Sequence, residues 1–268
     1  DGGAFKGSYI IGVLHFLKRL ESIHWMKIHR ISGCSIGSIA ALLYLTNKLN
    51  MSDDFYKVTR EHFALHCNLG CGKKWLRNFG KKQMHKDDYL NLNNRLFITY
   101  WDLKKRKQIV RSTFKNNKDV IETIIRSCFV PYLFNGRSCW RGRYVDGFYP
   151  HVFKKQPKRK ILVLNLLNTG DIIEMLCIKN EINNYGRVFD GVLDFYIFMK
   201  DKPSKFCCYV ENWSMYDRLY LNLRIFFVHY FINLYAIYKK IYKILPPNIL
   251  APFTGVILDV YKKYIIKI

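Results

Sequence analysis

A serine enclosed by glycines, between a predicted strand and a predicted helix, constrains this sequence more than any other feature. Residues 33–37 read Gly-Cys-Ser-Ile-Gly. The preceding run 28–32 alternates apolar residues as a strand does, and the run 36–49 has apolar residues at helical spacing. In this context the Gly-x-Ser-x-Gly pattern is typical of a nucleophilic serine on a sharp turn. The alternative is an ordinary helix start in which Ser35 is the N-cap.

The first seven residues, Asp-Gly-Gly-Ala-Phe-Lys-Gly, form a glycine-rich loop ahead of a helix predicted from about residue 8 to 20. Loops of this kind expose backbone N–H groups to an anion. The phosphate-loop pattern is absent, and a dinucleotide fingerprint would need a glycine at Ala4. The functional interpretation that remains is an oxyanion hole, and the structural one is a plain tight turn into a helix.

Asp146 is a candidate base for such a serine, because it follows a short apolar strand and precedes Gly147. A carboxylate at that position can project from a sheet edge toward the end of a neighbouring strand. Asp-Gly is also a common turn dipeptide, so this motif alone does not decide between the two interpretations.

The rest of the chain alternates helices with strands, which favours an α/β layered class. The predicted elements are strands over 95–102, 107–113 and 160–167, a helix beginning near Asp53, a helix over 117–129 with Asn117 as its N-cap, and a basic, glycine-containing loop over 70–86. The strand over 160–167 contains the unbroken apolar run 161–164, which is typical of a buried parallel strand.

Together the three motifs, in this order and spacing, resemble the patatin-like phospholipase family. The segment 126–150 is similar to that family's helix, proline-containing loop, hairpin and catalytic aspartate, and the resemblance runs from Asp1 to about Leu167. It implies a three-layer α/β/α fold with a central, mostly parallel sheet. It also implies hydrolysis of carboxylic esters of phospholipids or acylglycerols through an acyl-serine intermediate, without a metal or other cofactor.

The resemblance assigns roles residue by residue: Ser35 as nucleophile, Asp146 as base, the N–H groups of Gly2, Gly3 and Ala4 as the oxyanion hole, and Lys6, Gly7, Gly33, Gly37 and Gly147 as supporting motif positions. Such a dyad needs no histidine if partial desolvation raises the basicity of the aspartate. A Ser–His–Asp triad using His151, five residues beyond the aspartate, is a competing possibility.

Two departures from the family pattern favour an alternative, a catalytically weak or inactive module that binds anionic membrane surfaces. Ala4 replaces the third glycine of the loop, and its Cβ predicts a negative φ at this position. Phe148 replaces the small residue usual after Asp-Gly, and is expected to narrow the site or make it more apolar.

The charge balance favours an anionic partner. Forty-four Lys and Arg against 20 Asp and Glu give a formal charge of +24, although A/T-rich codon bias explains this composition equally well. The basic residues are spread along the whole chain and no nucleic-acid motif is present, so we expect anionic membrane lipids and no nucleic acid as partners. The sequence does not predict the oligomeric state.

Residues 1–200 are predicted to form the catalytic domain, and residues 201–268 a helical, basic and aromatic segment packed on it or lying at a membrane surface. The helix predicted over 218–245 has an uncharged run, 225–238, shorter than the about 20 residues a membrane span needs. A packed core helix and an interfacial helix therefore rank ahead of a span. The basic residues expected to favour a lipid surface are Lys239, Lys240, Lys243, Lys262, Lys263 and Lys267, together with Lys73, Lys74, Arg77, Lys81 and Lys82 in the predicted loop over 70–86. No signal-peptide pattern is seen, and we expect a cytoplasmic protein, peripheral on membranes.

The eight cysteines are scattered, which favours reduced thiols over a disulfide framework. His62, His66, Cys67 and Cys71 have spacings compatible with a zinc site, but a helix explains the same spacings. No metal site is therefore predicted.

Overall fold

The computed structural model describes residues 1–166, 175–178 and 181–241 of the chain. The helices are α1 (Gly7–Ser22), α2 (Ile36–Leu45), α3 (Met51–His66), α4 (Cys71–Lys82), α5 (Asp88–Leu92), α6 (Asn117–Ser127), α7 (Tyr185–Met199) and α8 (Met215–Ile241). The strands are β1 (Ile31–Gly33), β2 (Leu96–Asp102), β3 (Lys107–Arg111), β4 (Tyr144–Val145), β5 (Leu162–Leu164) and β6 (Cys207–Tyr209). Short 3₁₀ turns cover Ala4–Lys6 and Val210–Asn212. This mixture of helices and sheet confirms the α/β class.

The main sheet is built around β2. Strand β1 pairs with the first half of β2 in parallel, starting at Ile31 opposite Leu96. Strands β3 and β4 both pair with β2 in antiparallel orientation. A mostly parallel sheet is therefore not confirmed by the described strands, because the four-residue turn between β2 and β3 allows only an antiparallel hairpin. The three-layer arrangement stays a prediction.

The prediction of a buried, parallel strand over 160–167 is wrong. The structure describes β5 as a half-buried, three-residue strand that pairs antiparallel with β6. An unbroken apolar run indicates burial on both faces of a strand but not the direction of its neighbour. The neighbour that decides the direction, residues 207–209, lies more than 40 residues further along the chain. Residues 167–174 lie outside the described part of the chain.

The stretch predicted as a basic loop, 70–86, contains helix α4 instead. Its buried residues Gly72, Trp75, Leu76 and Phe79 follow the i, i+3, i+4, i+7 spacing of one helical face. The lysines alternate with these positions and obscure the periodicity in the sequence. The lysines in this segment therefore belong to a helix surface rather than to a loop.

Two helix ends also differ from the predictions, because local hydrogen bonds determine where these helices begin or end. The N-cap of α6 is Asn116, whose side chain accepts the N–H of Asp119, whereas Asn117 bonds Tyr89 and His85. Helix α2 ends at Leu45 rather than near residue 49, since Asn47 adopts φ 58 and the N–H of Lys48 bonds the carbonyl of Leu43.

Helix α8 packs its inner side on the main sheet. Ile232 is buried in a cluster with Trp101, Val145 and Tyr149, and Ile225 and Val228 pack against that cluster. Both β6 and α8 contact the first 200 residues, while the division at residue 200 stays a prediction. Among the residues that the structure describes, no helix combines the length and apolarity needed to cross a bilayer. Residues 242–268 lie outside the described part of the chain, and so do four of the lysines expected at a lipid surface: Lys243, Lys262, Lys263 and Lys267.

Helices α1 and α7 cross at two glycines. A Cβ at Gly12 would overlap the backbone of Val188, and a Cβ at Gly191 would overlap the backbone of Tyr9. The glycines therefore allow the two helix backbones to touch. Because the glycine-rich loop leads directly into α1, this contact also fixes where that loop begins.

We expect Gly191→Ala to lower the free energy of unfolding by about 1–3 kcal/mol, because the added methyl group forces the helix backbones apart. The matched control is Gly186→Ala in the same helix, where nothing lies within 4 Å of the added Cβ. That change should be neutral or stabilise by up to about 1 kcal/mol. Urea unfolding of the two variants checks the prediction, and equal midpoints would contradict it.

Candidate active site

Ser35 occupies a strained turn between β1 and α2. Its backbone adopts φ 51 and ψ −131, in a region that non-glycine residues rarely populate. The N–H of Ser35 donates to the Ser127 hydroxyl at 3.0 Å, and its carbonyl accepts both the N–H of Ser38 at 2.9 Å and the Ser38 hydroxyl at 2.6 Å. These bonds hold the turn on both sides, and the start of α2 places its positive dipole end there.

Glycines let the surrounding backbones approach this turn. A Cβ at Gly37 would overlap the carbonyl of Asp1, so only glycine allows α2 to contact the opening loop. A Cβ at Gly2 would lie 3.2 Å from the Cβ of Ser35, which places the loop directly against the serine. The other predicted motif glycines are also close-approach positions: Gly7 against Ile36, Gly33 against the backbone of Gly37, and Gly147 against the carbonyl of Thr99.

Asp146 follows β4 and is buried, with 3% of its surface exposed. Its Oδ1 accepts the N–H of Phe148 at 2.7 Å, while its Oδ2 is buried without a hydrogen-bond partner. Burial raises the pKa of Asp146 to about 6, against the opposing effects of the Phe148 N–H, the Ser35 hydroxyl and the charge of Arg224. The Ser35 hydroxyl is thus near enough to influence the carboxylate, although the two form no hydrogen bond within 3.5 Å in this structure.

Ser35 and Asp146 line one cavity of about 490 Å³. Gly2, Gly3, Ala4 and Gly7 line the same cavity, so the structure brings the three sequence motifs together. Its walls continue away from the dyad along apolar residues of α2, α3 and α4, among them Ile39, Ala40, Leu43, Phe55 and Leu76. Phe148 also lines it, whereas Lys6 is buried in the 3₁₀ turn and is not part of the lining.

The opening loop departs from the predicted oxyanion hole at two positions. The N–H of Gly2 donates to Asp1 Oδ1 at 2.8 Å and is therefore already engaged, whereas within the described residues the N–H groups of Gly3 and Ala4 donate no hydrogen bond. Ala4 adopts φ 45, so the expected negative φ is wrong. The tight 3₁₀ turn, closed by bonds from Lys6 N–H to Gly3 and from Gly7 N–H to Ala4, imposes this conformation on an alanine.

His151 does not share the cavity of the dyad. It stacks on Phe97, with ring centroids 6.0 Å apart, and lines a second cavity of about 460 Å³ bounded by residues of β1 and β5. Neither Ser35 nor Asp146 lines that second cavity. The geometry gives no support to a triad that includes this histidine.

The histidine and cysteine spacings that suggested zinc are explained by α3 and the turn after it. His62 Nε2 pairs with Asn68 Oδ1 at 2.9 Å, and the rings of His62 and His66 lie 4.5 Å apart on successive turns. In residues 1–166, 175–178 and 181–241, no three His, Cys, Asp or Glu side chains are arranged to hold a metal ion.

Two residues at the site carried too little signal to be found in the sequence. Ser127, at the end of α6, accepts the N–H of Ser35 through its hydroxyl and the N–H of Gly147 through its carbonyl, so it links both halves of the dyad. Nothing distinguishes it from other serines in the sequence. Arg224 on α8 contacts the opening loop. The sequence feature that could have indicated it is a lone charged residue directly before the uncharged run 225–238.

A serine on a strand-to-helix turn, a buried carboxylate and a glycine-rich loop around one apolar cavity define a class of acyl-transferring α/β proteins. Residues 1–149 match the family model described as Patatin-like phospholipase, which is more than half of the chain. The chain belongs to this patatin-like phospholipase family. It is also similar to the human omega-hydroxyceramide transacylase, with 26% identity over 157 residues, 55% of this chain and 29% of the human protein.

The buried carboxylate gives a prediction about stability that is independent of activity. The pKa of Asp146 is raised from 3.8 to about 6 in the folded protein, so folding favours its protonated form. Stability should therefore fall as the pH rises from about 4 to 7, by roughly 1–3 kcal/mol at one pKa unit per about 1.4 kcal/mol. We expect Asp146→Asn to lack this loss.

The measurement is urea unfolding at several pH values between 4 and 7. Asp190→Asn, at an exposed carboxylate on α7, is the matched control and should keep the wild-type slope. The same slope in the Asp146 variant would show that this carboxylate is not destabilised by burial.

Proposed function

We propose that this protein is a lipid acyl hydrolase that works through an acyl-serine intermediate on Ser35. The Ser35 oxygen attacks the ester carbonyl while Asp146 accepts its proton, and the alcohol of the lipid leaves with a proton returned by Asp146. Water then attacks the acyl-serine while Asp146 takes a proton from it, and the fatty acid is released as the acyl–oxygen bond breaks and this proton returns to the Ser35 oxygen. The observation that carries the proposal is a buried carboxylate beside a serine on a strained turn, both opening into an apolar cavity.

The environment of Asp146 supports its role as base. An aspartate with its ordinary pKa near 4 is a weak base, and burial raises this pKa to about 6. The group stays ionised at neutral pH but accepts a proton more readily, which is the condition for efficient general-base catalysis. Its unpartnered Oδ2 is the atom available for the proton of Ser35.

The tetrahedral intermediate carries its negative charge on the former carbonyl oxygen. The N–H groups of Gly3 and Ala4, which line the same cavity as Ser35 and have no other acceptor among the described residues, are the donors that we assign to it. Loss of one such donor typically costs about 3–4 kcal/mol of barrier. Holding Ala4 at φ 45 costs about 1–2 kcal/mol, so the strain is smaller than the stabilisation it makes possible.

The cavity supports a long acyl chain as the substrate group. It has a volume of about 490 Å³ and is lined largely by apolar side chains, among them Ile39, Leu43 and Phe55. Transfer of the acyl group to a lipid alcohol instead of water is a second candidate, and the transacylase named among the relatives favours it. The products distinguish the two reactions, because hydrolysis releases free fatty acid whereas transfer gives an ester of the acceptor alcohol.

The outer side of α8 supports work at a lipid surface. Its exposed large apolar residues are Met215, Tyr216, Leu219, Tyr220, Leu223, Phe226, Phe227, Tyr230, Phe231, Leu234 and Ile237, with 62% of Phe226 exposed. Surfaces of this kind mark contact sites. The formal charge of +24 selects an anionic bilayer as the surface that we propose this face contacts, with insoluble substrates delivered from it.

The proposed chemistry predicts that Ser35→Ala abolishes labelling by a fluorophosphonate and the release of fatty acid, because the nucleophile is gone. Asp146→Asn should lower kcat by at least about 100-fold, since general-base catalysis contributes about 10²–10⁴-fold. Mass spectrometry of products from wild-type and variant proteins, using esters of butyrate and of long-chain acids, makes the measurement. Wild-type protein should prefer the long chains.

His151→Ala is the matched control for the base and should retain activity. Hydrolysis that survives Ser35→Ala would contradict the proposal. Wild-type protein that binds vesicles but never labels would favour the inactive membrane-binding module.

The membrane contact predicts that Phe226→Glu combined with Tyr230→Glu weakens binding to vesicles of phosphatidylcholine and phosphatidylserine by at least about tenfold, since burying one such side chain contributes about 1.5–3 kcal/mol. Turnover of a soluble short-chain ester should not change, because neither Phe226 nor Tyr230 lines the cavity that contains Ser35 and Asp146. Leu65→Glu, at another exposed apolar residue, is the control. Undiminished co-sedimentation of the double variant with vesicles would rule out this face.

A further inference from the structure

Arg224 connects helix α8 to the site through three hydrogen bonds. Its Nη1 donates to Asp1 Oδ2 at 2.9 Å and its Nη2 to Asp1 Oδ1 at 2.9 Å, which forms a bidentate pair. The same Nη2 also donates to the carbonyl of Phe148. The side chain is 14% exposed and that of Asp1 is 3% exposed, so the ion pair is shielded from water.

The two partners of Arg224 belong to different motifs. Asp1 Oδ1 also accepts the N–H of Gly2, so the carboxylate held by the arginine in turn holds the start of the glycine-rich loop. Phe148 donates its N–H to Asp146 Oδ1, so the carbonyl held by the arginine belongs to the turn that presents the base. One guanidinium therefore spans the gap between the oxyanion loop and the base.

We propose that Arg224 is a positioning residue that clamps the opening loop to the Asp146 turn, which makes helix α8 an integral part of the active site. The residue lies outside the part of the chain, 1–149, that matches the family model. The clamp concerns the arrangement of the described residues, and only its effect on rates rests on the proposed function.

The geometry explains why a clamp is needed. Phe148 adopts φ 59, a left-handed conformation that an L-residue holds only when its surroundings fix it. The planar guanidinium satisfies a carboxylate and a carbonyl in fixed relative positions, which a lysine with a single ammonium group does not reproduce. Without it the buried carboxylate of Asp1 would lose its charged partner, and the strained turn after Asp146 would lose a restraint.

The charge of Arg224 also acts on the base. It lowers the pKa of Asp146, against the larger raising effect of burial. The other ionisable groups near Arg224 are the Asp1 carboxylate, Cys34, Tyr149 and Tyr220. Burial raises the pKa of the Cys34 thiol to about 12 and that of Tyr149 above its usual value, so neither gains a charge near neutrality.

The test compares Arg224→Gln, which removes the charge, with Arg224→Lys, which keeps it but loses the bidentate fork. We expect Arg224→Gln to lower kcat on a soluble short-chain ester by about 10–100-fold and to move the acid limb of the kcat/KM profile to higher pH. Arg224→Lys should lower kcat with the limb in place. Arg218→Gln, an exposed residue on the same helix, removes the same charge and should change neither.

Hydrogen–deuterium exchange of the same proteins gives a second measurement that needs no activity. In Arg224→Gln we expect faster exchange in residues 1–7 and in 146–150, both far from residue 224 in the sequence. If wild-type protein shows no hydrolysis, the proposed function fails while this measurement still tests the clamp. Faster exchange confined to α8, or wild-type kcat and exchange in folded Arg224→Lys and Arg224→Gln proteins, would overturn the inference.

Discussion

The burial of the Asp146 carboxylate is the constraint on which the rest of the site depends. Ionising a carboxyl group away from water is costly, and one of its two oxygens has no hydrogen-bond partner. The protein compensates only in part, through the Phe148 N–H, the nearby Ser35 hydroxyl and the charge of Arg224. The part of the burial cost that is not compensated raises the pKa of Asp146. A raised pKa is the property that the proposed general base requires.

Close backbone contacts explain how three distant segments meet at this carboxylate. A Cβ would collide with the carbonyl of Asp1 at Gly37 and with that of Thr99 at Gly147, and at Gly2 it would lie tightly against the Cβ of Ser35. These contacts bring the backbone of the opening loop against the serine turn. The same three segments contain strained backbone, since Ala4, Ser35 and Phe148 all adopt a positive φ.

The sequence predicted the parts of the site that local chemistry determines. Glycines flanking a serine, an Asp-Gly after an apolar pair and a glycine-rich loop before a helix each carry a backbone requirement, and the structure places all three around one cavity. It did not predict strand direction for 162–164 or helix α4, because an apolar run has no direction and interspersed lysines hide a helical face. The engagement of the Gly2 N–H depends on the rotamer of Asp1, which no sequence pattern specifies.

Helix α8 relates the two sides of the proposed function. Ile225, Val228 and Ile232 face the sheet, Arg224 reaches the dyad, and the exposed aromatic residues point away from both. A single helix thus has one exposed apolar face and one side chain bonded to both the opening loop and the turn after Asp146. Because a helix moves as a unit, any contact that fixes its outer face also restricts the position of the guanidinium. In the proposed function, residues 1–149 supply the reacting groups, and helix α8, beyond the part that matches the family model, holds these groups in position relative to the lipid surface.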